Sequence, residues 1–186
     1  MTRIIAMSDT HLKNEEPPRP LVDLAKCADL LLHAGDFVSF GTHSALKDLG
    51  KLEAVRGNAD SAELKRLLPE RQIVEVDGVR IGLVHMASHA AGLLGAGLMA
   101  REMDVQVLVF GHIHRPLVDR GERLLICPGS PTFPRMSAPS VAELDIEDGD
   151  ISGKIISLGS PTCDYFKYAQ SLAEKQSEKG SQKNKG

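Results

Sequence analysis

Cysteine is scarce and scattered in this chain. Its three residues, Cys27, Cys127 and Cys163, are too few and too far apart for a disulfide framework, which points to a reducing compartment. Each reads as a small buried hydrophobe. Excess positive charge is also missing. A net charge of −3 and a pI near 6.2 argue against a general nucleic-acid-binding surface. No basic segment followed by a long apolar stretch opens the chain, so no signal peptide is expected and the protein is expected in the cytoplasm. The most apolar helical stretch, residues 90–100, carries three glycines and is too short to span a bilayer. It reads as a buried or interface helix, the latter implying a homodimer. No internal repeat is present.

What remains is a composition suited to one soluble domain. With 186 residues, 42% of them hydrophobic, the chain is long enough to bury a core without staples. Short apolar runs at residues 4–7, 28–32, 52–55, 81–84 and 105–110 are nearly free of turn residues, as central strands of an α/β sheet are. Further strands are expected at 124–126, 141–146 and 151–156, the last two joined at Asp148-Gly149. A polar, proline-rich loop at 15–20 leads into an amphipathic helix at 21–26 and is placed to border a substrate entrance. The expected architecture is two mixed β-sheets packed as a sandwich and flanked by helices. One domain is expected over 1–168, followed by a polar, disordered tail at 169–186.

Metal-competent side chains follow the apolar runs with a regularity that scattered residues would not show. They are Asp9 and His11, Asp36, Asn58, His85, and His112 and His114. In an open α/β sheet, ligands bind beyond the carboxyl ends of the strands, so distant segments would meet at one rim. Two Asp, one Asn and four His offer oxygen and imidazole nitrogen but no thiolate. Such a set suits Mn, Fe(II), Zn, Ni or Co. Seven donors are too many for one ion that keeps a position open, whereas two ions sharing a carboxylate use them all. Two divalent cations against two carboxylates leave a site of about +2, suited to a phosphate ester.

In this order, D-x-H, G-D, G-N-x-D, a lone His after a strand and G-H-x-H resemble the calcineurin-like metallophosphoesterase superfamily. Phe110-Gly111-His112-Ile113-His114-Arg115-Pro116 and Pro128-Gly129-Ser130-Pro131-Thr132-Phe133-Pro134-Arg135 resemble its small, single-domain YfcE-type phosphodiesterase branch. The likeness runs from about Met1 to Leu158. It implies that Asp9, His11, Asp36 and His114 surround one divalent metal, manganese first among the candidates. Asp36 would bridge to a second metal held by Asn58, His85 and His112. It also implies a metal-bound hydroxide that bridges the ions and attacks phosphorus in line with the leaving oxygen. Asn58 would turn its carbonyl oxygen to the metal and its amide to a phosphoryl oxygen. The expected activity is hydrolysis of a small phosphodiester. The alternatives are phosphomonoesterase or protein or nucleotide phosphatase activity on the same core. Others are a non-catalytic scaffold, as in the retromer trafficking complex, and a regulatory binder. All seven donors are intact, which speaks against the scaffold.

Two positions depart from that pattern. Many superfamily members follow the Asn with a proton-donating His, but here Ala59 stands there and Asp60 follows. That change fits the branch and predicts a preference for acidic leaving groups, which need little proton assistance. Where the family has His-Gly-His, this chain has His85-Met86-Ala87. Met86 is placed to narrow the pocket, while His89 and Asp60 are the candidate substrate contacts. His33 and His43 are left out of the metal set, His33 being read as orienting the Gly35-Asp36 loop. Cys127 precedes the Pro128-Gly129-Ser130 loop, and although nothing in the sequence supports sensitivity to oxidation there, the position puts its thiol next to the expected site.

Overall fold

Along strand β1 (Thr2–Met7), Ile4 and Ala6 point to one side and Ile5 and Met7 to the other, and all four are fully buried. The run is apolar without alternation because both faces of the strand are covered. The computed structural model describes residues 1–13, 16–87 and 92–160. After β1 come α1 (Arg19–Ala25), β2 (Leu30–Ala34), α2 (Phe40–Lys47), β3 (Leu52–Val55) and α3 (Ala62–Leu67). The chain continues through β4 (Arg71–Val76), β5 (Val79–Val84), α4 (Gly92–Glu102), β6 (Val107–Phe110), β7 (Leu117–Arg120) and β8 (Leu124–Cys127). It closes with β9 (Ser140–Glu147) and β10 (Asp150–Ser157).

Two five-stranded mixed sheets form, in the orders β10-β9-β1-β2-β3 and β4-β5-β6-β8-β7. They pack face to face through Ile4, Leu32, Val55, Ile81, Val107, Ile126 and Leu144. The outer face of the first sheet carries α1, α2 and α3, whose Leu21, Leu46 and Leu64 pack on Ile5, Met7 and Leu31. The outer face of the second carries α4 through Ala96 and Ala100. This is the sandwich expected from the sequence.

The parallel strands matter most for function. β1, β2 and β3 run parallel in one sheet, and β5, β6 and β8 in the other. Their carboxyl ends therefore reach one rim of the sandwich, while the hairpin turns after β4 and β9 lie at the opposite rim.

Four elements form beyond those expected from the apolar runs. β4 and β7 are the edges of the second sheet and only half buried, so neither forms a continuous apolar run. The short helices α2 and α3 announce themselves instead by their N-caps, where the side chains of Ser39 and Ser61 accept from Thr42 N–H and Leu64 N–H. The glycine-rich α4 also differs from a buried helix. It packs by its alanines and leaves Leu93, Leu94 and Leu98 exposed. His89, the loop tip at 14–15 and everything from residue 161 onwards, including the expected tail, lie outside the described residues.

Candidate metal centre

Each of the seven donors lies just past the carboxyl end of a parallel strand. Asp9 and His11 follow β1, Asp36 follows β2, Asn58 follows β3, His85 follows β5, and His112 and His114 follow β6. Asp9, Asp36, His85 and His114 are buried, whereas His11, Asn58 and His112 keep access to solvent. The cluster thus has a closed floor and an open face.

Crowding explains the glycines of the G-D, G-N and G-H motifs. A Cβ on Gly57 would overlap Asp36 Oδ1. One on Gly111 would lie 2.8 Å from Ala34 O and 2.9 Å from Asp9 Oδ2. Only glycine lets the strand ends come this close. The donors themselves are strained. Asp9, His11, Asp36, His112 and His114 all take φ between 44° and 75°, a conformation that costs a non-glycine residue on the order of 1 kcal/mol or more.

A hydrogen-bond lattice holds them there. Asp9 N–H donates to Gly35 O (2.9 Å) and His11 N–H to Asp36 O (3.1 Å). His112 N–H donates to the Asp9 carboxylate at 3.0 Å. From the second sheet, Ser130 Oγ donates to Asp9 O (2.6 Å) and accepts from Phe133 N–H (2.7 Å). Thr132 Oγ1 donates to Thr10 O. The Pro128–Phe133 loop thereby latches the loop that carries Asp9 and His11. Ser130 belongs to the motif noted in the sequence, but its role could be read only from the structure.

The separations fit divalent ions. His11 Nε2 and His114 Nε2 are 3.2 Å apart, and Asp9 Oδ1 is 3.3 Å from the latter. On the other side, Asn58 Oδ1 lies 2.9 Å from both His85 Nε2 and His112 Nδ1. Two donors about 2.1 Å from one ion lie about 3.0 Å apart when at right angles and about 3.4 Å apart in a tetrahedron. Asp36 Oδ2 stands between the two groups, 3.4 Å from His11 Nε2 and 3.3 Å from His85 Nε2. Its other oxygen is taken by Ala59 N–H at 2.7 Å. One oxygen is left to face both sets.

The protons agree with that assignment. His85 Nδ1–H donates to Ala34 O (2.8 Å) and His114 Nδ1–H to Phe133 O (2.7 Å), so in each ring Nε2 is the atom that faces the cluster. Asp36 Oδ2, Asn58 Oδ1 and His85 Nε2 then point lone pairs at one another, which calls for a cation. Without a metal, a proton supplies it. Burial pushes His85 down, yet its hydrogen bond to Asp36 and the charges of Asp36 and Asp9 outweigh this and raise its pKa above the ordinary value. Burial likewise pushes the Asp36 carboxyl up, but His85 and the Ala59 N–H bring it below the usual carboxylate range. Burial and the charge of His85 lower His112.

One residue faces elsewhere than the sequence suggested. Asp60, expected as a substrate contact, is 4% exposed. Its Oδ2 accepts from Gly57 N–H (2.7 Å) and Asp36 N–H (3.3 Å), and its Oδ1 from Val38 N–H (2.8 Å). It ties the Asp36 loop to the Asn58 loop and faces backbone, not the cleft. His33 orients the same loop, as expected. Its Nδ1 accepts from Gly35 N–H (3.1 Å), its Nε2–H reaches Thr10 Oγ1 (3.3 Å), and its ring stacks on Phe37 at 3.5 Å. Burial holds its pKa well below the ordinary value. His43 packs its ring against Phe37 and Phe40. Cys127 is wholly buried and its thiol is pushed up to about 12 by burial, so it carries no thiolate with which to be oxidised.

The likeness to known proteins matches this geometry. Over 157 residues the chain is 36% identical to a probable metallophosphoesterase of Methanocaldococcus jannaschii, covering 82% of this chain and 79% of the relative. A probable metallophosphoesterase of Methanothermobacter thermautotrophicus is 34% identical, with 84% and 93% covered. Among solved structures, Vps29 of Chaetomium thermophilum shares the fold at a TM-score of 0.70 and 20% identity, over 87% of this chain and all of that one. Residues 2–149, which carry every donor of the cluster, match the calcineurin-like phosphoesterase superfamily domain, and the chain belongs to that superfamily.

Proposed function

We propose that the protein is a metal-dependent phosphodiesterase that hydrolyses small phosphodiesters in the cytoplasm. The observation that carries this reading is the position of Asp36 Oδ2 between two donor groups whose open face borders a cavity on either side of Met86. A phosphoryl group at the donors would have room for an ester arm in each direction. Two divalent ions, manganese first among the candidates, would supply positive charge for the phosphoryl oxygens and a water of lowered pKa.

The chain's own residues do the rest. Asn58 turns Oδ1 towards His85 and His112, which leaves its amide N–H free to donate to a phosphoryl oxygen. With two divalent ions bound, Asp36 and Asp9 would leave the centre at about +2, so a singly charged diester would be attracted without being held too tightly. In the reaction the water oxygen joins phosphorus and the ester P–O bond breaks. The leaving oxygen departs with the bonding pair, and the proton lost by water passes to solvent. Ala59 offers no side-chain acid to the leaving oxygen, which favours esters of acidic alcohols or phenols.

The test is hydrolysis of bis(4-nitrophenyl) phosphate by chelator-treated protein with and without added Mn²⁺. Turnover should need the metal and fall at least about 10³-fold in Asp36→Asn, which removes a shared anionic oxygen. Metal binding without turnover of any phosphodiester would refute the reading and leave the monoesterase or regulatory binder.

A further inference from the structure

The two cavities beside the donors differ in character. One, of about 310 Å³, is the more polar of the two, with Arg56, Asn58, Arg71 and His85 lining it beside the apolar Val84 and Met99. The other, of about 160 Å³, is apolar and lined by Leu93, Phe110, Ile113 and Leu117 together with His112. Met86 and Ala87 line both and form the wall between them. Met86 stands where the resemblance implies a glycine, and its side chain helps to part the two cavities.

The apolar pocket is continuous with the donor cluster. His112 lines it while its Nδ1 lies 2.9 Å from Asn58 Oδ1. Leu93 and Ile113 are 41% and 44% exposed, leaving apolar surface in water next to a charged site. Such surface marks a place where a ligand is covered. Its size is informative too, because an apolar cavity of about 150 Å³ holds one benzene ring. Across the wall, Arg56 and Arg71 are each paired with a carboxylate, Glu70 (2.9 Å) and Glu102 (2.7 Å). That cavity suits a polar group with no great excess of negative charge.

Building on the phosphodiesterase reading, we infer that the pocket behind Met86 takes one flat, single-ring apolar arm of the substrate. The polar cavity takes the other arm. The substrate class is then an unsymmetrical diester, with an aryl or similarly flat apolar group on one side of phosphorus and a polar group on the other. The chain selects the apolar arm by shape and burial, separately from any preference for an acidic leaving group.

Two measurements test this. The first compares methyl phenyl phosphate with methyl hexafluoroisopropyl phosphate, whose leaving alcohols have similar acidity, on the Mn²⁺-loaded protein. The phenyl ester should show a kcat/KM at least about tenfold higher, as expected when an apolar group fills an apolar pocket. In Leu93→Ser, an exposed site on α4 that lines the pocket but is not itself a donor, the ratio should fall to about twofold through a higher KM, with Mn²⁺ affinity unchanged. The second follows the Met86 and Ile113 methyl signals by NMR as phenol is added to the metal-free protein. Both should move, and neither should in Leu93→Ser at the same phenol concentration. Equal kcat/KM for the two esters overturns the assignment whatever phenol does, as do methyl signals that phenol leaves unmoved. If neither ester turns over but phenol moves both methyls, the phosphodiesterase reading falls and the apolar pocket stands.

Discussion

At the rim of the sandwich where β5 and β10 begin, Asp77-Gly78 and Asp148-Gly149 take positive φ in two-residue hairpin turns. At the other rim Asp9, His11, Asp36, His112 and His114 take it as well. In the hairpins this is the relaxed state, since the turn that matches strand twist requires positive φ at both residues and Asp-Gly supplies it. At the donor rim the same angles fall on Asp and His residues, most of them buried, outside any two-residue hairpin turn. They persist because Asp60, Ser130, His33 and the backbone of the neighbouring loops over-determine them. One rim is locally satisfied, and the other is held in strain by distant parts of the chain. Substitutions at the two ends should therefore differ in kind, with function lost at one and only stability at the other.

Among residues that support the donors without being one, the largest effect is expected at Gly57. The Cβ of Gly57→Ala overlaps Asp36 Oδ1, so the shared carboxylate must move. Mn²⁺ affinity, read by isothermal titration, should drop about 100-fold, the upper range for disturbing a ligand's support. Asp60→Asn should be milder. An amide can accept at one end only, so the N–H of Val38 or those of Gly57 and Asp36 would face a donor. A loss of about tenfold in Mn²⁺ affinity and about 1–3 kcal/mol of stability in urea unfolding is expected.

His33 gives a pH signature. Because burial holds its folded pKa well below 6.5, the unfolded chain binds a proton below that pH which the folded chain does not. Its contribution to stability therefore falls as pH drops through 6.5, by about 1.4 kcal/mol per unit. Compared with His33→Asn, which does not titrate, the parent should lose about 1.4 kcal/mol of relative stability between pH 7.5 and 5.5. A difference independent of pH would show that the imidazole is not buried neutral. The smallest effect belongs to the relaxed rim. Gly149→Ala meets no atom within 4 Å but keeps φ at 85°, so it should cost only about 1 kcal/mol, with hydrolysis rates unchanged.

The same contrast explains what could be read from the sequence. Hairpin residues such as Asp148-Gly149 and the doubly covered strands β1, β2 and β6 announce themselves locally, through turn chemistry and unbroken apolar runs. The donors were legible as a set because each follows such a run. Asp60 departs from its expected role because its spacing after Asn58 says nothing about which way it turns, and its three N–H partners come from two loops. Ser130 holds the Asp9 loop from 121 positions away, which no local pattern encodes. The edges β4 and β7 were invisible because half-exposed strands lack the apolar signal.

The two-metal centre stands or falls on how many ions the cluster holds and whether Asp36 is shared. Equilibrium dialysis of chelator-treated protein against Mn²⁺, with metal counted by mass spectrometry, should give two ions per chain in the parent and at most one in Asp36→Asn. Two ions bound equally well in Asp36→Asn, or none in the parent, would contradict it.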